Sequence, residues 1–182
     1  LEGAIELATV LLQLTEVEGL KDSRLQEDIN VVDTILDTMG YFQEKYPSQL
    51  VDLQLSDAFI EHSSVIKVVG NNSLLRTVLI NIIDNACKYS AHQPVLVQLD
   101  YQPQWTVIEV VDKGIGIPES QLDEVFLPMM RAENVGDIKG FGLGLTLANK
   151  VMTIHQGKLE IQSVPNQGTT VSLSLPTSLL NA

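Results

Sequence analysis

The polar side chains with the clearest chemical potential lie in one short row: Asn81, Asp84, Asn85 and Lys88. They recur at steps of three and four residues, so they fall along one face of a helix. Apolar residues recur every four positions on another face of the same run: Leu74, Val78, Ile82 and Ala86. Magnesium prefers hard oxygen ligands such as those of amides and carboxylates, and an ammonium group can neutralise a phosphate. The row therefore suits a magnesium–phosphate ligand, although an ordinary amphipathic helix with a polar outer face would show the same pattern.

Three glycine-containing segments come after this helix. Asp112-Lys-Gly-Ile-Gly-Ile117 lies directly after a strand-like run, Gly140-Phe-Gly-Leu-Gly-Leu145 opens a helical run, and Gly168-Thr-Thr170 begins a final strand. A carboxylate at the end of an apolar strand, followed by Gly-x-Gly, is placed to face a cavity, and the glycines let the backbone approach a ligand. Free backbone N–H groups at a glycine-rich helix start can bind phosphate. Taken alone, Asp112 fits an Asp-Gly turn in a hairpin equally well.

Taken together and in this order, these segments resemble the N, G1, G2 and G3 boxes of the ATP-binding domain of sensor histidine kinases, with Phe126 in the place of the F box. The resemblance covers roughly residues 50–176. It implies the Bergerat fold, which gyrase-like ATPases share. We therefore expect an α+β protein, a two-layer α/β sandwich preceded by an α-helical hairpin. Residues 48–182 would form the ATP-binding catalytic domain, with ATP and Mg²⁺ as cofactors.

The resemblance also implies roles for single residues. Asn85 would be the magnesium ligand, Lys88 would neutralise phosphate charge, and Tyr89 would border the nucleotide. Asp112 would accept a hydrogen bond from the exocyclic amine of adenine, which excludes guanine because guanine has a carbonyl there. The expected nucleotide contacts are Asn81, Asn85, Lys88, Tyr89, Asp112, Gly114, Gly116, Ile117, Phe126, Lys139, Gly140, Phe141, Gly142, Leu143, Gly144, Leu145 and Thr169.

Residues 127–139 would form the ATP lid, which could become ordered when phosphates bind. Arg131 lies in Phe-Leu-Pro-Met-Met-Arg, which is similar to the Phe-x-Pro-Phe-x-Arg of the family. Met129 replaces the second Phe, which leaves open how firmly the base of the lid is anchored. Arg131 and Lys139 are the cations best placed to meet the γ-phosphate.

Asn81 discriminates between two kinds of reaction. Gyrase-like relatives have a Glu at this position that activates water for ATP hydrolysis, whereas an amide cannot act as a general base. The site should therefore hold ATP intact and pass its γ-phosphoryl group to an imidazole, with Asn81, Lys88 and Arg131 as the catalytic residues. The alternatives are a Bergerat-type ATPase and a non-catalytic, nucleotide-binding regulatory dimer.

The apolar pattern of residues 1–47 predicts two amphipathic helices that are joined near Gly19. The expected apolar seams are Leu1, Ile5, Ala8, Leu12 and Thr15 in residues 1–16, and Leu25, Ile29, Val32, Leu36 and Met39 in residues 22–45. One hairpin buries too little surface alone, so its faces need a partner, either a second copy of the chain or the domain behind them. We favour a homodimer.

Sensor kinases carry such a dimerising hairpin before the ATPase domain, and its first helix bears the phosphoacceptor His. The opening Leu-Glu-Gly-Ala-Ile is similar to the residues that come after the acceptor box in the family, so we expect the acceptor to lie upstream of this sequence. We do not assign that role to His62, His92 or His155, since none has an acidic neighbour followed by Thr-Pro. A response-regulator receiver domain would then be the second partner.

Composition limits the other possibilities. A net charge of −12 argues against a nucleic-acid-binding surface, which needs clustered Lys and Arg. The chain has no run of eighteen apolar residues, so we expect no membrane contact in this part of the protein. The single Cys87 fits a small buried side chain in a reducing compartment. A cytoplasmic location is therefore expected, although a longer parent protein could be membrane-anchored through other segments.

Overall fold

The computed structural model describes residues 8–12, 14–15, 17, 27–136, 138 and 140–179. The strands are β1 (Glu27–Ile29), β2 (Val51–Leu55), β3 (Ile66–Gly70), β4 (Val95–Gln102), β5 (Trp105–Asp112), β6 (Lys158–Val164) and β7 (Gly168–Leu179). The helices after β1 are α1 (Val31–Lys45), α2 (Asp57–His62), α3 (Asn72–Tyr89) and α4 (Gly144–Ile154). Three short 3₁₀ turns lie between β5 and α4: Glu119–Gln121, Glu124–Phe126 and Glu133–Val135.

The strands of the described residues form one mixed sheet in the order β1-β3-β7-β5-β4-β2, and β6 also pairs with β7. Only the β2–β4 pairing is parallel among them. The first part of β7 lies between β5 and β6, and its last three residues pair with β3. For this reason β7 extends as far as Leu179.

The core lies between one face of this sheet and the helices. Alternate strand residues such as Leu99, Ile108 and Leu173 are fully buried and share that face through the β4–β5 and β5–β7 registers. Leu79 of α3 and Leu147 of α4 are fully buried in the same apolar cluster. This arrangement confirms the predicted α+β fold with a sheet layer and a helix layer.

The N-terminal helices differ from the prediction. The second helix begins at Val31 rather than at Asp22, because Asn30 caps it and residues 27–29 pair with β3. The predicted seam is wrong at Ile29, which lies in a strand. Val32 and Met39 of this seam pack against the core and Leu36 is 50% exposed, while Leu25 lies outside the described residues. The buried residues of α1 are Val31, Thr34, Ile35, Thr38 and Phe42, and this face packs toward the domain and α3.

The described part of residues 8–17 is helical, as expected, but it buries a different face. Leu14 and Val17 are buried and Val10 packs against the core, whereas Leu12 of the predicted seam is 64% exposed. Residues 1–7 and the expected break at Gly19 lie outside the described residues. The homodimer interface stays a prediction.

No helix in the described ranges is long and apolar enough to cross a bilayer.

The sequence did not predict α2, which begins after the Ser56 cap and buries Phe59.

His155 ties the end of α4 to the start of α3. Its ring is buried; Nε2 accepts the backbone N–H of Asn71 at 3.0 Å, and Nδ1 lies 2.8 Å from the carbonyl oxygen of Val151. Because Nε2 is the acceptor, Nδ1 carries the proton and donates. Both ring nitrogens are therefore used in the fold.

We predict that His155→Ala lowers the free energy of unfolding by about 2–4 kcal/mol, because it leaves the Asn71 N–H without its acceptor and opens a cavity. Urea denaturation measures the change. Glu160→Ala, at an exposed position of β6, is the control and should change stability by less than about 0.5 kcal/mol. An equally small loss for His155→Ala would contradict the structural role.

Candidate nucleotide-binding site

A cavity lies between α3, the turn after β5, the segment before α4 and the first turn of α4. Most residues predicted to contact nucleotide line it: Asn81, Asn85, Lys88, Tyr89, Asp112, Gly116, Ile117, Gly140, Phe141, Gly142, Leu143, Gly144, Leu145 and Thr169. Arg131 lines it as well. Gly114 and Phe126 do not line it, and Lys139 lies outside the described residues.

The helix α3 turns its polar row toward the cavity because its other face is fixed in the core, where Val78, Ile82 and Ala86 are buried. Asn81 Nδ2 donates to the Thr77 carbonyl oxygen at 2.8 Å, which leaves the side-chain oxygen toward the start of α4. A Cβ on Gly144 would lie 2.8 Å from that oxygen, so a larger residue there would require the Asn81 side chain to move. Among the described residues the Asn85 side chain has no hydrogen-bond partner, so its carbonyl oxygen is available to a ligand.

Asp84 is the centre of a charged network beside this row. Its Oδ2 lies 2.5 Å from Lys88 Nζ, and its Oδ1 accepts from Lys45 Nζ at 2.7 Å and from the Tyr46 hydroxyl at 2.8 Å. Burial alone would raise the pKa of Asp84, but the hydrogen bonds and charges of the two lysines outweigh it and lower the pKa. Asp84 therefore stays ionised at neutral pH.

Asp112 also lines the cavity and is the last residue of β5. Its carboxylate is buried, and Oδ1 accepts the Gly114 N–H at 2.8 Å. Burial raises the pKa of Asp112, although the N–H groups of Gly114 and Thr169 act in the opposite direction. In the described residues no cation forms an ion pair with this carboxylate, so it can accept a hydrogen bond from a ligand.

The turn after Asp112 is held from both sides. Ile115 N–H donates to the Tyr89 carbonyl oxygen at 3.2 Å, and Ile117 N–H donates to Ser163 Oγ at 2.8 Å. Gly116 has φ +64°, and a Cβ there would lie 2.1 Å from the Val164 carbonyl oxygen. Glycine is therefore required at this position by both conformation and close packing.

The segment before α4 closes the cavity from another side. Met129 N–H donates to the Gly142 carbonyl oxygen at 2.9 Å, and Thr146 Oγ1 donates to the Phe126 carbonyl oxygen at 3.0 Å. Phe126 thus contributes through its backbone rather than by lining the cavity. Arg131 Nη2 donates to the carbonyl oxygen of Ile138, and its Nε is buried with no partner among the described residues.

Several lining residues were not predicted as contacts. Asp84, Val10, Ile82, Ala86, Val110, Ile115, Val125, Met130, Ala132, Val135, Ile161 and Val171 line the cavity too. The strand residues among them lie on the buried face of the sheet next to Asp112. The alternation of apolar residues along the strands could therefore have predicted them. Val10 had no such signal, because its position depends on a contact distant in sequence.

The comparisons with known proteins agree with this geometry. The family model described as histidine kinase-, DNA gyrase B- and HSP90-like ATPase matches residues 70–179, which is more than half of the chain. An adaptive-response sensory kinase SasA from Crocosphaera subtropica is 35% identical over 111 residues, covering 60% of this chain and 29% of that protein. Another SasA, from Gloeothece citriformis, is 31% identical over 134 residues, covering 68% and 34%. The chain therefore spans about a third of the length of these curated relatives.

Solved structures share the fold. The mycobacterial sensor histidine kinase MprB has a TM-score of 0.71 at 24% identity, over 85% of this chain and 99% of that one. The catalytic domain of the histidine kinase ThkA has a TM-score of 0.68 at 20% identity, over 82% and 94%. The fold, the order of the glycine-containing segments and the matched residues lead to one conclusion: the chain belongs to the family of histidine kinase-, DNA gyrase B- and HSP90-like ATPases, with the Bergerat fold.

Proposed function

We propose that this chain is the ATP-binding catalytic region of a two-component sensor histidine kinase. It would transfer the γ-phosphoryl group of ATP to a His on a dimerisation hairpin, from which a response-regulator Asp receives it. The observation that carries the proposal is one cavity lined both by the buried Asp112 carboxylate, which forms no ion pair among the described residues, and by the Asn85 and Lys88 side chains. The relatives named as sensory kinases support it.

Asp112 would accept the adenine amine, and the N–H groups of the 140–145 segment would bind phosphate oxygens. Lys88 would neutralise phosphate charge. Asn85 fits a magnesium ligand because its amide oxygen is hard and available, and magnesium keeps several waters and takes its remaining ligands from phosphates. Bound magnesium would supply charge neutralisation at the phosphates. Phosphoryl transfer needs mainly such positioning and charge.

Asn81 favours transfer over hydrolysis. Its Nδ2 is committed to the Thr77 carbonyl oxygen, and its amide oxygen has no basicity with which to deprotonate water. A Bergerat-type ATPase would need a carboxylate there. The non-catalytic regulatory dimer remains the second alternative, and labelling with γ-labelled ATP distinguishes it from a kinase.

The ATP-binding unit, we propose, begins at Glu27 rather than at residue 48. The strand β1 pairs with β3, and α1 packs on α3, so residues 27–45 share the same core. The ThkA catalytic domain aligns with 82% of the chain, which supports the earlier start. Dimerisation would then involve the described helical residues before Glu27.

We also propose a cytoplasmic location for this part of the protein, because the proposed reaction consumes ATP.

The direct test is incubation with γ-labelled ATP and magnesium, beside a version extended upstream with native sequence that carries the acceptor. We expect label on the extended version only. Label on the present chain would mean that His62, His92 or His155 accepts phosphate. Bound nucleotide with label on neither version would favour the regulatory dimer.

Asn85→Ala should remove the magnesium dependence of ATP binding while the fold stays intact, because the amide oxygen is the proposed metal ligand. Titration of a fluorescent ATP analogue with and without magnesium measures this. Asn134→Ala is the control, since Asn134 donates to the Gly116 carbonyl oxygen from outside the proposed metal site. An unchanged magnesium dependence in Asn85→Ala would show that the metal assignment is wrong.

Asp112→Asn should weaken ATP binding by about 10- to 1000-fold, because an amide presents its own donors to the adenine amine and leaves a buried mismatch. Its stability at neutral pH should be equal or higher. The raised folded-state pKa of Asp112 means that ionisation opposes folding above that pKa, and Asn removes this cost. Glu109→Gln, in the same strand but on the opposite face, is the control for binding. Loss of stability together with binding would contradict the specific role.

A further inference from the structure

Asp84 joins the cavity to a helix end outside it. Asp84 and Lys88 line the cavity, whereas Lys45 and Tyr46, at the end of α1, do not. The Asp84 side chain is 13% exposed and holds three donors, with Lys45 Nζ and the Tyr46 hydroxyl on Oδ1 and Lys88 Nζ on Oδ2. One oxygen of this carboxylate therefore contacts residues outside the cavity, and the other contacts a residue that lines it.

This division fixes the direction of the carboxylate. With Oδ1 held at 2.7 Å and 2.8 Å by two donors, the carboxylate has little freedom to rotate, and Oδ2 stays toward Lys88. Tyr46 is itself fixed, because its ring stacks on the buried Phe42 at 6.0 Å between ring centroids. The orientation of Asp84 therefore depends on groups that no ligand in the cavity would touch.

The charges of the network suit a phosphate site. One carboxylate faces two ammonium groups, so the cluster keeps a net positive charge and the Lys88 ammonium is held without being fully neutralised. Burial, acting together with the hydrogen bond to Asp84, raises the pKa of the Tyr46 hydroxyl to about 12, so Tyr46 remains a donor across the physiological range. The arrangement is thus constant over that range.

We propose that Asp84 is a positioning residue that holds the Lys88 ammonium at the phosphate end of the cavity, and that Lys45 and Tyr46 orient the Asp84 carboxylate from outside. The inference rests on the proposed function, since Lys88 has a phosphate to meet only if ATP binds here. A purely structural role would differ: the network would fasten α1 to α3 without affecting the nucleotide.

Tyr46→Phe removes one hydrogen bond and keeps the ring. We expect magnesium-ATP affinity to fall about three- to tenfold, the net contribution of one ordinary hydrogen bond, because Asp84 keeps its two lysine partners. Lys45→Met should cause a loss of similar size. The matched control is Lys67→Met, which breaks the 2.8 Å Lys67–Asp28 ion pair far from the cavity and should leave affinity unchanged.

The decisive measurement repeats Tyr46→Phe in a Lys88→Met background. If Tyr46 acts through Lys88, adding Tyr46→Phe to Lys88→Met should cause no further loss of affinity, because the two substitutions act on one network. An affinity loss that persists without Lys88 would overturn the inference, and so would an unchanged affinity in Tyr46→Phe and Lys45→Met.

The two proposals fail in different ways. If Lys88→Met binds magnesium-ATP as tightly as the unaltered chain, the positioning role is overturned, while ATP binding through Asp112 stands. If the unaltered chain binds no magnesium-ATP, the proposed function is overturned and the inference with it. Asp84→Glu, which keeps the charge, should retain more affinity than Asp84→Asn if the ion pair to Lys88 is what matters.

Discussion

The register between β5 and β7 is the constraint on which the cavity depends. It pairs Asp112 with Thr169 and puts both on the face that holds the core. Side chains alternate along a strand, so a shift of one residue would turn Asp112 to the open face of the sheet. The β6–β7 pairing adds Ser163 beside Thr169, and Ser163 Oγ receives the Ile117 N–H. The turn after β5 is thus placed by strand pairing.

The helix α3 supplies the other half of the site, and packing determines what it presents. Its buried face meets the sheet, and its last turn offers the Tyr89 carbonyl oxygen to the Ile115 N–H. Helix and turn are therefore joined by backbone. The start of α4 lies against Asn81, and a side chain in place of Gly144 would displace the Asn81 amide. Packing and backbone contacts fix these groups before any ligand arrives, and such preorganisation reduces the cost of binding.

The sequence predicted what depends on local chemistry. The helix that carries the polar row and the strand that leads to Asp112 are found as predicted, because apolar periodicity and turn residues determine them. The sequence could not predict β1 or the buried face of α1. Ile29 fits a helical seam as well as a strand, and its pairing with Val68 is what places it in a strand. Asp84 was in the predicted polar row, but its partners Lys45 and Tyr46 lie about forty residues away. The spacing of residues along the sequence cannot predict contacts between residues this far apart.

Two carboxylates that line one cavity, Asp84 and Asp112, have opposite pKa shifts because their surroundings differ. Asp84 is surrounded by donors from Lys45, Tyr46 and Lys88, and its pKa is lowered; Asp112 is buried with no cation paired to it in the described part of the chain, and its pKa is raised. The ionised Asp84 carboxylate is stabilised by its lysine partners, and it therefore holds the Lys88 ammonium where phosphates would lie. The Asp112 carboxylate has a desolvation cost that the N–H groups of Gly114 and Thr169 only partly offset, and a neutral donor such as an adenine amine can offset more of it without adding charge. A cavity that combines such a carboxylate with cations suits a ligand that has both a neutral donor group and anionic groups, and ATP has both.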